Sequence, residues 1–230
     1  MQVGSTRMSV PIFEFRASNV RTAPHPSYHR IGKRVLDLSI LVLAAPVVVP
    51  LIALLALFTA LGGGSPFYAQ RRIGVGGEEF RCWKIRTMVR DAENALPRLL
   101  AADPVLAEEW DRTQKLARDP RVTRLGALLR KTSLDEMPQL WNVLTGSMSL
   151  VGPRPFMPEQ AVLYRGGRTD AEYYRMRPGL TGLWQVSRRN SGSFAERTIY
   201  DGQYWARMSL WTDLSILVRT VGVVLRGTGV

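Results

Sequence analysis

Histidine and cysteine are almost missing from this 230-residue chain, which holds two of the first and one of the second. Cys82 alone forms no internal disulfide, and without a CxxC pair or a Cys/His cluster neither structural zinc nor an iron–sulfur centre has its ligands. His25 and His29 both precede the long hydrophobic run, in a stretch containing Pro24 and Pro26. Ser-His-Asp and Cys-His mechanisms and histidine-based catalytic metal sites are therefore disfavoured, so any catalysis has to run on carboxylates, Arg, Lys and hydroxyls. Acidic residues are also few, 19 against 31 Lys plus Arg, for a net charge of +12. That balance calls for an anionic partner such as nucleic acid, a lipid surface or a phosphorylated substrate. No polybasic block concentrates the charge, since residues 1–70, 71–130 and 131–230 each carry +4. Arg outnumbers Lys 27 to 4, which suits a bidentate grip on phosphate oxygens, although genome base composition produces the same bias. With 46% hydrophobic and 22% charged residues, the chain is neither disordered nor an all-membrane transporter, and its length fits one domain with a short appendage.

Residues 1–29 lack helical or strand periodicity and read as a mobile tail. Leu38 to Leu61 then runs 24 residues without a charge, enough at ~1.5 Å per residue to cross the ~30 Å hydrocarbon layer. The run starts too far in, and ends without a small-residue cleavage site, to be a secretory signal. Pro46 and Pro50 remove two backbone donors in its middle, which predicts a bend between Ala45 and Pro50. Both flanks are basic, with Arg30, Lys33 and Arg34 before it and Arg71, Arg72 and Arg81 after it, where a crossing segment shows a one-sided bias. A re-entrant helical hairpin over residues 30–64 follows, with a kinked single span as the competing arrangement.

Phe67 to Arg72 and Glu79 to Arg86, joined by Gly74-Val75-Gly76-Gly77, spell a β-hairpin whose alternation puts Lys84 and Arg86 on one face. That face meets phosphates or is an ordinary solvated one. Met88 to Lys131 is helical, broken at Asp103-Pro104 and Asp119-Pro120; Thr169 to Arg175 is a further helix with Thr169 and Glu172 in capping-box spacing. Leu180 to Val186 reads as extended. Ser209 to Leu225 is amphipathic, with Asp213 and Arg219 opposite its apolar stripe, and either lies in the headgroup layer or packs on the core.

Asp135 and Glu136 sit at a helix start, where adjacent acids commonly act as caps: either Asp135 is the N-cap with Pro138 in the first turn, or Ser133 and Glu136 form a capping box. Arg130 and Lys131 precede the pair, and Val151-Gly152-Pro153-Arg154-Pro155 holds a guanidinium on a rigid turn after it. Cations, carboxylates and a helix N-terminus in one place make a site for a metal-bound phosphate.

At these residues the chain resembles the bacterial sugar transferases, the monotopic polyprenyl-phosphate phosphoglycosyl transferases, especially those priming exopolysaccharide synthesis with galactosyl or glucosyl phosphate. The ordered motifs are KRVLDL from Lys33, QRRIG from Gln70, KIRTM from Lys84, DPRVTRLGALLRKTSLDEMPQLWNVL from Asp119, MSLVGPRP from Met148 and RPGLTGLWQVS from Arg177. The membrane break usually carries Ser-Pro, where Ala45-Pro46 stands here with Pro50 added, and the four-helix N-terminal extension of larger members is absent.

The resemblance implies an α+β, predominantly α fold: a re-entrant membrane hairpin, a small β-hairpin and a helical catalytic core with interfacial amphipathic helices over residues 65–230. It also implies transfer of a sugar 1-phosphate from a UDP-sugar to polyprenyl (undecaprenyl) phosphate, releasing UMP, at the cytoplasmic face of a bacterial inner membrane. The family's Asp-Glu dyad maps onto Asp135 and Glu136, with Asp135 as nucleophile, both carboxylates toward Mg²⁺ or Mn²⁺, and Lys84, Arg86, Arg130, Arg154 and Arg177 toward substrate phosphates. The expected partners are the UDP-sugar, the lipid phosphate and the bilayer; a homodimer stays open and nucleic acid is not expected. From another class, a membrane-anchored Arg-rich protein binding nucleic acid or anionic lipid without chemistry is the alternative, weakened by the dispersed charge.

Overall fold

The longest element opens with a π-helical turn, Tyr28–Gly32, and continues as α1, Lys33–Leu61. It belongs to a computed structural model that describes residues 27–113, 116, 118–164, 171–187, 194 and 196–225. The tail before residue 27 and the Thr169 start of an expected helix lie outside these residues. Pro46 and Pro50 are inside α1 and do not end it: each proline deletes one bond of the ladder, and the flanking turns stay paired. The expected break at Ala45–Pro50 is thus not an interruption of the helix. Glycine stops it, because Gly63 and Gly64 take φ of 79° and 76°, a region that side chains with a Cβ avoid. Val42, Leu43 and Val47 in the middle of α1 are exposed, whereas Lys33 and Asp37 at its start are buried.

The expected hairpin is present. Strands β1 (Phe67–Ile73) and β2 (Glu79–Ile85) pair antiparallel from Phe67↔Ile85 to Ile73↔Glu79. Since directly opposed residues share a face, the pairs Tyr68↔Lys84, Gln70↔Cys82 and Arg72↔Phe80 place Lys84, Cys82, Gln70 and Arg72 on one side of the ribbon. The helical stretch that follows divides at the expected breakers into α2 (Ala92–Ala102), α3 (Pro104–Thr113) and α4 (Arg124–Thr132). Asp103 caps α3, accepting from the Val105 amide at 2.9 Å. Thr123 caps α4, accepting from the Gly126 amide at 2.9 Å. A Cβ at Gly126 would lie 2.0 Å from the Thr87 carbonyl oxygen, so glycine sets how closely α4 approaches the segment after β2.

A short α5 (Gln139–Thr145) leads into β3 (Ser149–Val151), which pairs in parallel with β4 (Gly179–Thr181). The extended reading of Leu180 to Val186 holds only to Thr181: α6 (Leu183–Ser187) is helical. Glu172–Arg175 is a 3₁₀ turn. Then come α7 (Arg197–Arg207), which no sequence pattern announced, and α8 (Leu210–Leu225). The main core joins Cys82, Val143, Met148, Val151, Tyr204 and Ile216. A second cluster packs Phe156 against Tyr164 and Tyr173 at ring separations of 5.1 and 4.4 Å.

Of the faces open to α8, the stripe bearing Trp211 and Val218 is not the one packed on the core. Asp213 and Ile216 are buried at 0% and 1% exposure, while Trp211 and Val218 point outward at 79% and 73%. The reason is ionic. Asp213 Oδ2 accepts from Lys33 Nζ at 2.7 Å and from the Tyr28 hydroxyl at 2.7 Å, and Asp213 Oδ1 accepts from the Tyr204 hydroxyl at 2.6 Å. A buried carboxylate with three donors tolerates the interior that a bare one would not, and it draws the face of α8 that carries it onto the start of α1. Asp37 Oδ1 adds a bond from the Leu150 amide at 3.0 Å.

Candidate active site

The turn carrying Asp135 and Glu136 is not a helix start of either expected kind. Ser133 ends α4 in the left-handed conformation, φ 59°, and Leu134–Glu136 forms a 3₁₀ turn; no side-chain cap bond forms at Ser133, and Pro138 stands before α5. Freed from capping, the two carboxylates face β2 and the turn after β3. Lys84 Nζ lies 2.9 Å from Glu136 Oε1 and 3.9 Å from Asp135 Oδ2, and Arg154 Nη2 lies 3.1 Å from the same Glu136 oxygen. Glu136 is therefore shared by two cations, while Asp135, 8% exposed, is bonded less directly. Burial pushes the Asp135 carboxyl above the usual carboxylate range, opposed by the Lys84 charge and seconded by Glu136.

Of the other expected phosphate ligands, Arg130 stands near the dyad, where its charge acts on Asp135, and donates through Nε to Thr87 Oγ1 at 2.9 Å. Arg86 is elsewhere: its Nη2 donates to the carbonyls of Thr59 and Gly63, closing the C-terminal end of α1. Alternation put Lys84 and Arg86 on one face correctly, but one strand step of two residues spans ~7 Å and leads to different neighbours. Arg177 also lies apart, within electrostatic reach of His29 near the start of α1. Among the described residues it makes no ion pair with the dyad.

A narrow cleft beside the dyad is lined by Arg72, Cys82, Lys84, Glu136, Gln139 and Arg154. Arg72, Cys82 and Gln139 were not anticipated, although the hairpin register, combined with the Lys84 assignment, places Arg72 and Cys82 on the same face. Burial raises the Cys82 thiol, so it is a packed side chain and not a thiolate nucleophile. On the other side of Trp83 and Pro138 lies an apolar cavity of about 810 Å³, walled by Ile40 to Ala56 of α1 and by Phe67, Leu140, Trp141 and Leu144.

The donor set suits a hard cation only in part. Asp135 and Glu136 offer adjacent carboxylates, and among the described residues no group of three or more His, Cys, Asp or Glu is placed to hold a metal ion. A metal held here would fill its shell with water and substrate oxygens, the habit of Mg²⁺.

Comparison with known proteins bears on the same residues. Residues 28–227 match the family model described as bacterial sugar transferase. A UDP-galactose-lipid carrier transferase of Erwinia amylovora is 45% identical over 215 residues, covering 93% of this chain and 44% of that protein. The undecaprenyl-phosphate galactose phosphotransferase of Salmonella typhimurium is 43% identical over 201 residues, 87% of this chain and 42% of its own. The exopolysaccharide production protein ExoY of Sinorhizobium fredii is 45% identical over 201 residues, covering 86% of this chain and 88% of that protein. The chain thus spans less than half the length of the first two relatives and most of the third. A match running from the π-helical turn before α1 to the end of α8 leaves no doubt of kinship: the chain belongs to the bacterial sugar transferase family.

Proposed function

We propose that the chain transfers a sugar 1-phosphate from a UDP-sugar to polyprenyl phosphate, in the first membrane step of exopolysaccharide or other glycoconjugate synthesis. The observation that carries this reading is the buried Asp135 beside a Glu136 braced by Lys84 and Arg154. An Asp135 oxygen attacks the sugar-bearing phosphorus; the bond to the nucleotide's phosphate breaks, and UMP leaves with the electron pair. The resulting acyl phosphate is reactive enough to pass the sugar phosphate to the lipid phosphate, which restores the carboxylate. Lys84 and Arg154 offset the charge of two anions meeting, and Arg130 adds to the field. Asp135 and Glu136 would hold Mg²⁺ or Mn²⁺, whose contribution when bound is neutralisation of phosphate oxygens.

The two ends of α1 support a membrane arrangement. Its start is locked to α8 through Lys33 and Asp213, and Arg34 donates to the carbonyls of Val143 and Leu144. Its far end is held by Arg86 through the Thr59 carbonyl. A straight α1 would carry Thr59 ~39 Å from Lys33 and across the ~30 Å hydrocarbon, yet both ends contact one folded domain. That supports a re-entrant helix bent near Pro46 and Pro50, with the domain on the cytoplasmic face of the inner membrane. The exposed Trp211, Val218 and Val221 of α8 and Trp141 and Leu144 of α5 would then sit at the interface. The dyad and its cations lie together in a cleft, unlike the basic stripe of a nucleic-acid binder.

The test is UMP release from a panel of UDP-sugars with polyprenyl phosphate, with and without EDTA. Sugar-dependent release that EDTA abolishes is expected; no release with any sugar refutes the activity, and full release in EDTA refutes the metal.

A further inference from the structure

Among the described residues, two guanidiniums within electrostatic reach of Arg154 make no ion pair of their own. Arg72 donates to neutral acceptors only, the Pro155 carbonyl at 3.2 Å and Gln70 Oε1 at 2.5 Å, and its Nε is buried without a partner. Arg197 is stacked on the rings of Trp184 and Phe194, 4.4 and 4.5 Å from their centroids, and its Nε is likewise buried and unpartnered. Among the described residues neither makes an ion pair. Trp184 Nε1 beneath Arg197 is a third buried donor without an acceptor. Unpaired buried donors of this kind are expensive unless something else fills them.

The two are neighbours of the catalytic cations. Arg72 lies on the Lys84 face of the hairpin, four residues further along the ribbon, ~13 Å by strand geometry, and it lines the same cleft as Lys84, Glu136 and Arg154. Arg154 and Arg72 both act on the charge of Arg197, and burial with that repulsion pulls the guanidinium down to about 10 against the pull of Asp201. Arg72 and Arg154 line the cleft, and Arg197 lies within their electrostatic reach. In displacement at phosphorus the leaving group departs opposite the attacking oxygen, and a nucleoside monophosphate leaves with close to two negative charges.

Resting on the reaction proposed above, we infer that Arg72 and Arg197 form a second anion subsite that holds the phosphate of the departing nucleoside monophosphate. Lys84 and Arg154 then serve the sugar-bearing phosphate next to Asp135. Arg72 and Arg197 take up the charge that develops as the diphosphate bond breaks, and Glu136 occupies part of the cationic array until substrate enters.

Calorimetric titration of the full chain in detergent micelles with UMP, inorganic phosphate and a short-chain polyprenyl phosphate tests this. Arg72→Gln and Arg197→Gln should each weaken UMP binding by roughly tenfold or more, with Arg72→Lys intermediate and binding of the lipid phosphate unchanged. Arg71→Gln is the control, since Arg71 lies on the opposite face and pairs with the exposed Glu79 at 3.2 Å. UMP binding at wild-type strength in Arg197→Gln and in Arg72→Lys or Arg72→Gln would overturn the subsite, as would a loss confined to the lipid phosphate. Arg72→Lys keeps the charge if the Gln variant fails to fold. Absence of turnover with every UDP-sugar, alongside Arg72- and Arg197-dependent UMP binding, would refute the proposed reaction and leave the nucleotide subsite standing.

Discussion

Replacing Lys33 with methionine keeps the apolar stem and removes the cation from the buried knot that ties α1 to α8. Lys33 Nζ donates to Asp213 Oδ2 at 2.7 Å and to the Tyr204 hydroxyl at 2.8 Å, with the side chains of Lys33 and Asp213 only 5% and 0% exposed. The variant leaves a carboxylate in the interior with two tyrosine hydroxyls and no counter-charge. Breaking one side of such a pair costs about 3–5 kcal/mol, a large part of the about 5–15 kcal/mol that holds a domain folded. Lys33→Met with Asp213→Leu removes both charges and should recover much of the loss, because the penalty belongs to the orphaned ion. Denaturation of the purified chain in micelles, followed by tryptophan fluorescence, measures it; Trp205 is buried and meets His29 edge-on at 5.2 Å near this junction. A single variant within about 1 kcal/mol of wild type, or a double variant no more stable than the sum of the singles, would refute the reasoning.

Two further outcomes concern protons. The Asp135 carboxyl is raised by burial and held down by Lys84, so Lys84→Met should move the acid limb of the kcat/KM profile to higher pH, because the attacking carboxylate must be ionised; a limb that stays or moves down contradicts the assignment. The Asp201 carboxyl, accepting from the Tyr164 hydroxyl at 2.7 Å, is pushed up to about 7 by burial. Its contribution to stability is present below the unfolded value near 4 and is lost as pH rises through about 7, a fall of about 3 kcal/mol between pH 5 and 8. Asp201→Asn should flatten that slope in urea midpoints taken at the two pH values, and an unaltered slope would discard the role.

Local signals in the sequence were the ones that survived folding. The glycines at 74, 76 and 77 placed the hairpin, and Asp103-Pro104 and Asp119-Pro120 divided the helices; the cluster of the dyad with Lys84, Arg130 and Arg154 was implied by the family resemblance and not by a local pattern. What failed depended on partners far along the chain. Asp213 stood opposite the apolar stripe of α8 with no local sign that Lys33, 180 residues away, would be its counter-charge. Arg86 looked like a phosphate ligand until the end of α1 supplied carbonyls, and Arg197 carried no motif because its neighbours Trp184 and Arg154 come from other elements. Pairings between distant segments leave no periodicity in either one.

The covalent step is tested most directly by incubating the protein with a UDP-sugar in the absence of lipid phosphate and locating the adduct by mass spectrometry. A sugar phosphate on Asp135, lost in Asp135→Asn together with turnover while the variant unfolds like wild type, is the predicted result. An adduct on any other residue, or robust turnover by Asp135→Asn, would contradict the account.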